Sequence, residues 1–272
     1  MDVQLDLRKS VSENARDFYE KAKKATEKIK GARKALDDTE EALKGIDSGE
    51  QPNRGVRRKD VIKLRWYEKF RWFESTKGFL VVGGRDAVTN EILIKKHVES
   101  NDLIFHADVQ GAPFFVVKNP SSVQVDEDTL RETAQAAASY SSAWKRGVGS
   151  CDVYQVKPEQ VSKTAESGEY IPKGGFMIRG HKNWFRDTSL RLAVGFEIAE
   201  GIRIIGGPVK SINAKTKHYA EIVPGNLKSK ELAIEVKNEV LKKCGKDAGQ
   251  LIKKASIEDI QKFIPGGEGR IA

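Results

Sequence analysis

The chain is poor in cysteine, with only Cys151 and Cys244 among its 272 residues. The two fit no CxxC or Cys/His spacing. That excludes a disulfide framework and a zinc module, and predicts inert thiols in a reducing cytosol. Long apolar runs are missing as well. No stretch approaches the ~18 apolar residues of a membrane span, and the mean hydropathy is −0.52. The N-terminal MDVQLDLRKS has no apolar core, so no secretory signal is expected. Histidine is scarce (His97, His106, His181 and His218) and falls in no HExxH or HxH spacing. GxSxG, Walker and complete GxGxxG motifs are also absent. No internal repeat is visible.

Positive charge is in surplus. Lys and Arg number 48 against 39 Asp and Glu, a net charge of +9 with a pI near 9.3. A surplus of this size suits a polyanionic partner, RNA or DNA first, although a solubilising surface has the same composition. Placement has to decide between them.

Apolar or small residues recur in alternating steps of four and three at Val11, Ala15, Phe18, Ala22, Ala25, Ile29, Ala32, Leu36, Thr39, Leu43 and Ile46. This register predicts a coiled-coil helix over 10–45, about 54 Å long at 1.5 Å per residue, with Ser10 or Ser12 as its cap. The glycine- and proline-bearing segment 45–55 predicts a turn. A second helix is expected over 56–73, with Ile62, Trp66, Phe70 and Phe73 on one face. It is too short to cover the first, so part of the first helix requires another partner. Between 54 and 71 eight basic residues stand against two acidic ones. The run is either a solvated helix face or a phosphate-contacting one, and its one-sidedness favours the second.

Beyond residue 74 the pattern is that of an α+β domain with a mixed, mainly antiparallel sheet. Strands are expected at 78–82, 103–106, 114–117, 153–156, 190–198, 202–205 and 218–223. Helices are expected at 85–97, 126–146, 229–243 and 257–263. Residues 210–217 read as a basic loop and the end of the chain as a glycine-rich tail. The boundaries drawn are 1–74 for the helical arm, 75–207 for the core and 208–272 for an extension of the core.

Gly83-Gly84 between a strand and a helix start offers two readings: backbone N–H groups presented to an anion, or a tight turn with Asp86 as N-cap. The stretch 157–187 mixes Lys and Arg with Tyr170, Phe176, Trp184 and Phe185, the usual chemistry of phosphates and stacked bases, though such aromatics also serve as core. His106 and Asp108, with Asp86 and Asn90, raise a metal or acid/base alternative; a role in ordering the turn or touching RNA is the preferred reading. The residues expected to contact RNA are Arg57, Arg58, Lys63, Arg65, Arg85, Lys118, Lys145, Arg146, Lys163, Lys173, Arg179, Lys182 and Trp184. No catalytic residue, metal or cofactor is expected.

Four segments, RWYEKFRWFESTKGFLVVGGRDAVTNE (65–91), LIFHADVQGAP (103–113), SYSSAWKRG (139–147) and VSKTAESGEYIPKGGFMIRGHKN (161–183), resemble the NFACT family. LDLRKSVSENARDFYEKAKKA (5–25) is similar to its central coiled coil, and the ending 263–272 has an archaeal look. Asp86, Asn90, His106 and Asp108 lie in these motifs. The resemblance implies an RNA-binding NFACT-R domain behind a coiled-coil arm, in a cytoplasmic ribosome quality-control factor of RqcH type. Full-length members of the family recruit tRNA to obstructed large ribosomal subunits, where peptidyl-tRNA remains, for C-terminal tailing, with alanine in prokaryotes. The family's NFACT-N and helix-hairpin-helix regions have no counterpart in this sequence, so it reads as a C-terminal half whose N-terminal half is a possible partner. The alternatives are a coiled-coil protein adaptor and, less favoured, a metal-dependent hydrolase.

Overall fold

A computed structural model describes residues 65–164, 175–199 and 201–272, with scattered positions between 10 and 36. The chain divides into two units, Met1–Lys63 and Leu64–Ala272. In the first, the described positions from Val11 to Leu36 are helical, and the seam residues Val11, Ile29 and Leu36 are exposed. The rest of the expected coiled coil, Arg57, Arg58 and Lys63 included, lies outside the described residues.

The second unit is built on a six-stranded sheet. Its strands are β1 (Arg71–Glu74), β2 (Leu80–Gly83), β3 (Leu103–Ala107), β4 (Phe114–Val117), β5 (Ser150–Val156) and β8 (Asn183–Ser189). They lie in the order β1-β2-β4-β3-β5-β8. Between β5 and β8 in the chain, β6 (Val161–Ser162) pairs with β7 (Met177–Ile178). A four-stranded sheet follows from β9 (Leu192–Ile198), β10 (Ile202–Gly207), β11 (Tyr219–Leu227) and β12 (Gly269–Ile271), in the order β10-β9-β11-β12. Every pairing among the described residues is antiparallel, so the expected mixture with parallel strands is corrected there.

Strand alternation sends Phe105, Phe115, Val117 and Val153 to one face of the large sheet, and Ile104, Phe114, Val116 and Tyr154 to the other. Helix α1 (Ala87–His97) lies on the second face and buries Leu93 there. Helix α2 (Glu127–Ser139) covers the first face with Ala134, Ala137 and Ala138, whose small side chains permit close approach. It starts at an Asp126 cap and stops at Tyr140, and a separate short α3 (Ser142–Lys145) takes up the remainder of the expected 126–146 helix. The small sheet carries α4 (Val209–Lys215), α5 (Ser229–Lys243), α6 (Lys246–Lys253) and α7 (Ile257–Gln261).

Three expectations are overturned. Residues 65–73 are not helical: Trp66–Lys69 is a turn and Arg71–Glu74 a strand. Phe70 packs in the cluster on one face of the large sheet and Phe73 in the cluster on the other, which no single helix stripe achieves. Residues 210–217 are mostly helix α4, begun by Pro208 with its fixed φ and burying Ser211 and Ile212. The tail is not free, because Gly269 in β12 brings its backbone against Leu232, where a Cβ would lie 2.7 Å from Cδ2.

The double glycine is explained by crowding. A Cβ at Gly83 would meet the Phe115 ring at 2.4 Å, and one at Gly84 would meet Asn90 Oδ1 at 1.9 Å. That Asn90 oxygen accepts the Phe114 N–H at 3.1 Å. Gly84→Ala must expel the Asn90 amide and leave the buried Phe114 N–H unpaired. The expected loss is about 1–3 kcal/mol, read as a lower urea midpoint at unchanged m-value.

Candidate nucleic-acid interface

Register places four rings in one row across four strands: Phe114 opposite His106, His106 opposite Tyr154, and Tyr154 opposite Trp184. Ring-centre separations along the row are 4.6, 5.7 and 5.3 Å. Phe176, just before β7, continues it with its ring 5.5 Å from Phe114. The row ends at β8, the edge strand of the sheet.

On β8 the period of two sorts the side chains. Phe185 turns inward, 5.6 Å from the Phe105 ring. Lys182, Trp184 and Arg186 share the other side. Lys182 Nζ lies 4.1 Å from the centre of the Tyr154 ring and 5.6 Å from that of Trp184. Arg186 Cζ lies 4.0 Å from the Trp184 ring, while its Nη1 donates to Asp152 at 2.5 Å. Trp184 is 37% exposed, large for a tryptophan. Flat aromatic surface interleaved with cations gives bases a place to stack and phosphates a counter-charge.

His106 holds the row together. Its Nε2 lies 3.2 Å from the Ala112 carbonyl, an acceptor only, so Nε2 carries the proton. Nδ1 of the neutral ring must then accept, and the Tyr154 hydroxyl donates to it at 3.2 Å. Burial drives the His106 pKa down to about 4, against the smaller opposing effects of the Ala112 and Ala107 backbone and of Asp108. Burial, with Asp108 nearby, pushes Tyr154 up to about 12.

A cavity of about 360 Å³ lies where this row meets the start of α1, bounded by Arg85, Asp86, Asn90, His106, Phe114 and Phe176 among others. The strand–turn–helix before it is no anion cradle. Arg85 N and Asp86 N both donate to Thr89 Oγ1, at 2.8 and 2.9 Å, and Gly84 N to the Phe114 carbonyl at 3.0 Å. Asp86 is the N-cap, accepting from Thr89 N at 2.8 Å, and this bond foremost lowers its pKa. The tight-turn reading therefore holds.

The other expected contacts scatter. Arg65 is exposed and donates to the Tyr67 hydroxyl; Arg85 reaches the Phe70 carbonyl at 3.1 Å. Lys145 and Arg146 are exposed around the end of α3. Lys163 pairs with Glu91 at 3.1 Å and sits 5.2 Å from the Phe176 ring centre. Arg179 is exposed, and Lys173 lies outside the described residues. Lys118 is turned inward, donating at 2.5 Å to the fully buried Asp102 carboxylate and at 2.7 Å to the His97 carbonyl. Tyr154 and Arg186 are the two members of the surface that the sequence reading missed. The Lys-x-Trp-x-Arg alternation at 182–186 was the available signal.

Asp108 is exposed at the start of the β3–β4 loop, while His106, Asp86 and Asn90 are each engaged as described. Among the described residues no three His, Cys, Asp or Glu side chains are grouped to hold a metal ion. Nor is any helix there long and apolar enough to cross a membrane.

By fold this is an α+β domain on an antiparallel sheet, and its aromatic, cation-edged face has the chemistry of nucleic-acid-binding modules. Family comparison narrows the class: residues 69–180 match the NFACT protein RNA binding domain. It is 44% identical to the archaeal Rqc2 homolog aRqcH of Methanocaldococcus jannaschii over 272 residues, 97% of this chain and 39% of that protein. It is 42% identical to the ribosome quality control complex subunit NEMF of Homo sapiens over 134 residues, 49% of this chain and 12% of that protein. The solved C-terminal part of the fibronectin/fibrinogen-binding protein of Streptococcus suis aligns at a TM-score of 0.38 and 19% identity, over 66% of this chain and 77% of that one. The chain thus spans about two fifths of the archaeal relative it matches.

The neutral state of His106 has a consequence for stability. The unfolded chain takes up a proton on this histidine below about pH 6.5, whereas the folded form refuses it until about pH 4. Its share of stability is present above pH 6.5 and is lost as pH falls toward 4, amounting to roughly 3 kcal/mol at most. In urea unfolding at a series of pH values, His106→Gln should be less stable than wild type at pH 7. The gap should close as pH falls toward 4; a constant gap would show that His106 is not held neutral by the fold.

Proposed function

We propose that this chain binds structured RNA, tRNA or large-subunit rRNA, as the RNA-contacting part of a cytoplasmic ribosome quality control factor. In this reading the longer protein recruits tRNA to obstructed large subunits for C-terminal alanine tailing of stalled chains, and this part contributes RNA affinity without catalysing a reaction. The observation that carries the reading is the Lys182-Trp184-Arg186 side of the edge strand beside Tyr154. The match of 69–180 to an RNA binding domain supports it, as do relatives named for ribosome quality control. Arg65, Arg85, Lys145, Arg146, Lys163 and Arg179 are proposed as further phosphate contacts, with Arg57, Arg58, Lys63 and Lys173 from outside the described residues. Lys118 is left out because its charge is neutralised inside the fold.

A second reading, a coiled-coil adaptor for another protein, is favoured by the exposed seam residues Val11, Ile29 and Leu36. Salt separates the two. Phosphate contacts release counter-ions, so RNA affinity falls steeply as salt rises.

Labelled tRNA and a large-subunit rRNA fragment should be titrated at two salt concentrations. Lys182→Ala with Arg186→Ala should weaken both RNAs and flatten the salt slope by roughly 0.7–0.9 for each phosphate-bound cation removed. Trp184→Ala should cost about 1–3 kcal/mol of binding if the ring stacks on a base, with the thermal midpoint little changed because the ring is partly exposed at a sheet edge. Wild-type affinity and slope in both variants would remove the proposed surface and move the adaptor reading ahead.

A further inference from the structure

We infer that the cavity between the start of α1 and the aromatic row is a pocket for a single unstacked nucleotide, its base against Phe114 and Phe176 and its phosphate on the Arg85 guanidinium. The inference rests on the RNA-binding reading above and gives that surface a defined subsite.

Size and lining come first. A cavity of about 360 Å³ is too small for a duplex and suited to one nucleotide. Its walls combine the rings of Phe114, Tyr140, Tyr154 and Phe176 with the polar groups of Arg85, Asp86, Asn90 and His106. Aromatic walls with convergent polar groups are a usual build of a small-ligand site. The row of rings that lines the pocket runs through the buried Tyr154 to the exposed Trp184, so RNA held at the β8 edge has the pocket at the other end of the row.

Charge is the second observation, independent of the first. Arg71 lies flat on the Tyr140 ring, with Cζ 4.1 Å from its centre, and Tyr140 is itself a wall of the pocket. Arg85 lines the pocket directly, whereas Arg71 reaches it only through the Tyr140 ring. Neither arginine forms an ion pair with a carboxylate among the described residues; Arg85 has the Phe70 carbonyl and Arg71 the Tyr140 ring. Burial lowers the Arg71 pKa, opposed by Tyr140 and helped by the neighbouring Arg85. Two guanidinium groups near one another without an ion-pair partner favour an anion, even with Asp86 beside Arg85. The N–H groups of Gly84, Arg85 and Asp86 are engaged, so the Arg85 side chain is the charged donor assigned to the anion.

Asp86 lies on the same wall. Its carboxylate already accepts from the helix N-terminus, and the charge disfavours a phosphate placed directly beside it. The base edge, with its N–H groups, is therefore placed nearer Asp86, and the phosphate toward Arg85. His106 offers no free donor or acceptor, both of its nitrogens being committed, and serves as a wall.

The test uses the whole chain labelled with nitrogen-15, with AMP, adenosine and inorganic phosphate as separate probes. AMP should produce saturable shifts of the Arg85, Gly111 and Phe176 amides, adenosine a weaker version of the same pattern, and phosphate alone a response near Arg85 only. Arg85→Ala should weaken AMP roughly tenfold, the scale of one charge-assisted contact, and leave adenosine unchanged. Phe176→Leu should weaken both. Because Arg85 also holds the Phe70 carbonyl, Arg85→Lys is the control for folding, retaining charge and part of the AMP affinity. No saturable shift at these amides with AMP overturns the pocket. If long RNA still binds through Lys182, Trp184 and Arg186, only the subsite is lost. If long RNA fails to bind as well, the RNA-binding reading falls with it.

Discussion

The side-chain amide of Asn90 fixes the geometry on which the rest of this surface depends. It sits where a Cβ of residue 84 would be and takes the N–H of Phe114. One hydrogen bond thereby ties helix α1 to strand β4 across the turn that joins β2 to α1. The turn is closed further by Thr89, whose hydroxyl receives two successive backbone N–H groups while its own N–H is capped by Asp86. With the helix start pinned there, α1 lies over Val82, Ile104 and Val116 and covers only part of the sheet face. The cavity is at the helix start, and beyond it stand the rings of His106, Tyr154 and Trp184. An asparagine and a glycine that look like ordinary turn residues thus decide where the face is filled and where it is available.

The exposed part of the face depends on a histidine that must not be charged. A protonated His106 would have two donors, and the Tyr154 hydroxyl would have to turn its own proton away. Desolvation holds the ring neutral and keeps a directed chain from Tyr154 through His106 to the Ala112 carbonyl. That chain orients Tyr154, and Tyr154 in turn is the surface on which Lys182 and Trp184 rest. Cation–π contacts of this kind contribute about 0.5–1 kcal/mol at exposed sites. They are strong enough to pre-arrange a lysine and an arginine, and they leave the Lys182 charge unneutralised, while Arg186 is also paired with Asp152.

Much of the architecture was legible because its elements obey simple periods. The helix at 229–243 and the pairing of 103–106 with 114–117 follow from hydrophobic pattern alone. Asp86 announced its cap. What failed did so for physical reasons. Strand β8 has one partner and two unlike faces, so Asn183, Arg186 and Asp187 hide its alternation among polar residues. At 65–73 the apolar spacing matched a helix, but Phe70 and Phe73 serve opposite faces of a sheet, and only tertiary context reveals that. The double glycine looked available to an anion because sequence does not show that Thr89 already occupies the N–H groups.

The same distinction governs the positive charge. A surplus of basic residues says that an anion is welcome somewhere, but each cation has to be followed to its neighbours. Lys118 neutralises the buried Asp102, and Lys163 is shared with Glu91. The Lys118 charge is consumed in holding the fold, and replacing it would change stability before it changed binding, whereas the Lys163–Glu91 pair is partly exposed. Lys182 instead lies over rings at a sheet edge, and Arg85 lines the cavity without an ion-pair partner among the described residues. Only cations of this second kind keep an electrostatic interaction in reserve. One stands by the turn before α1 and the other beside β8, each with rings within reach. That coincidence of charge with aromatic surface, more than the net charge of the chain, is what the proposed interface on this face of the sheet rests on.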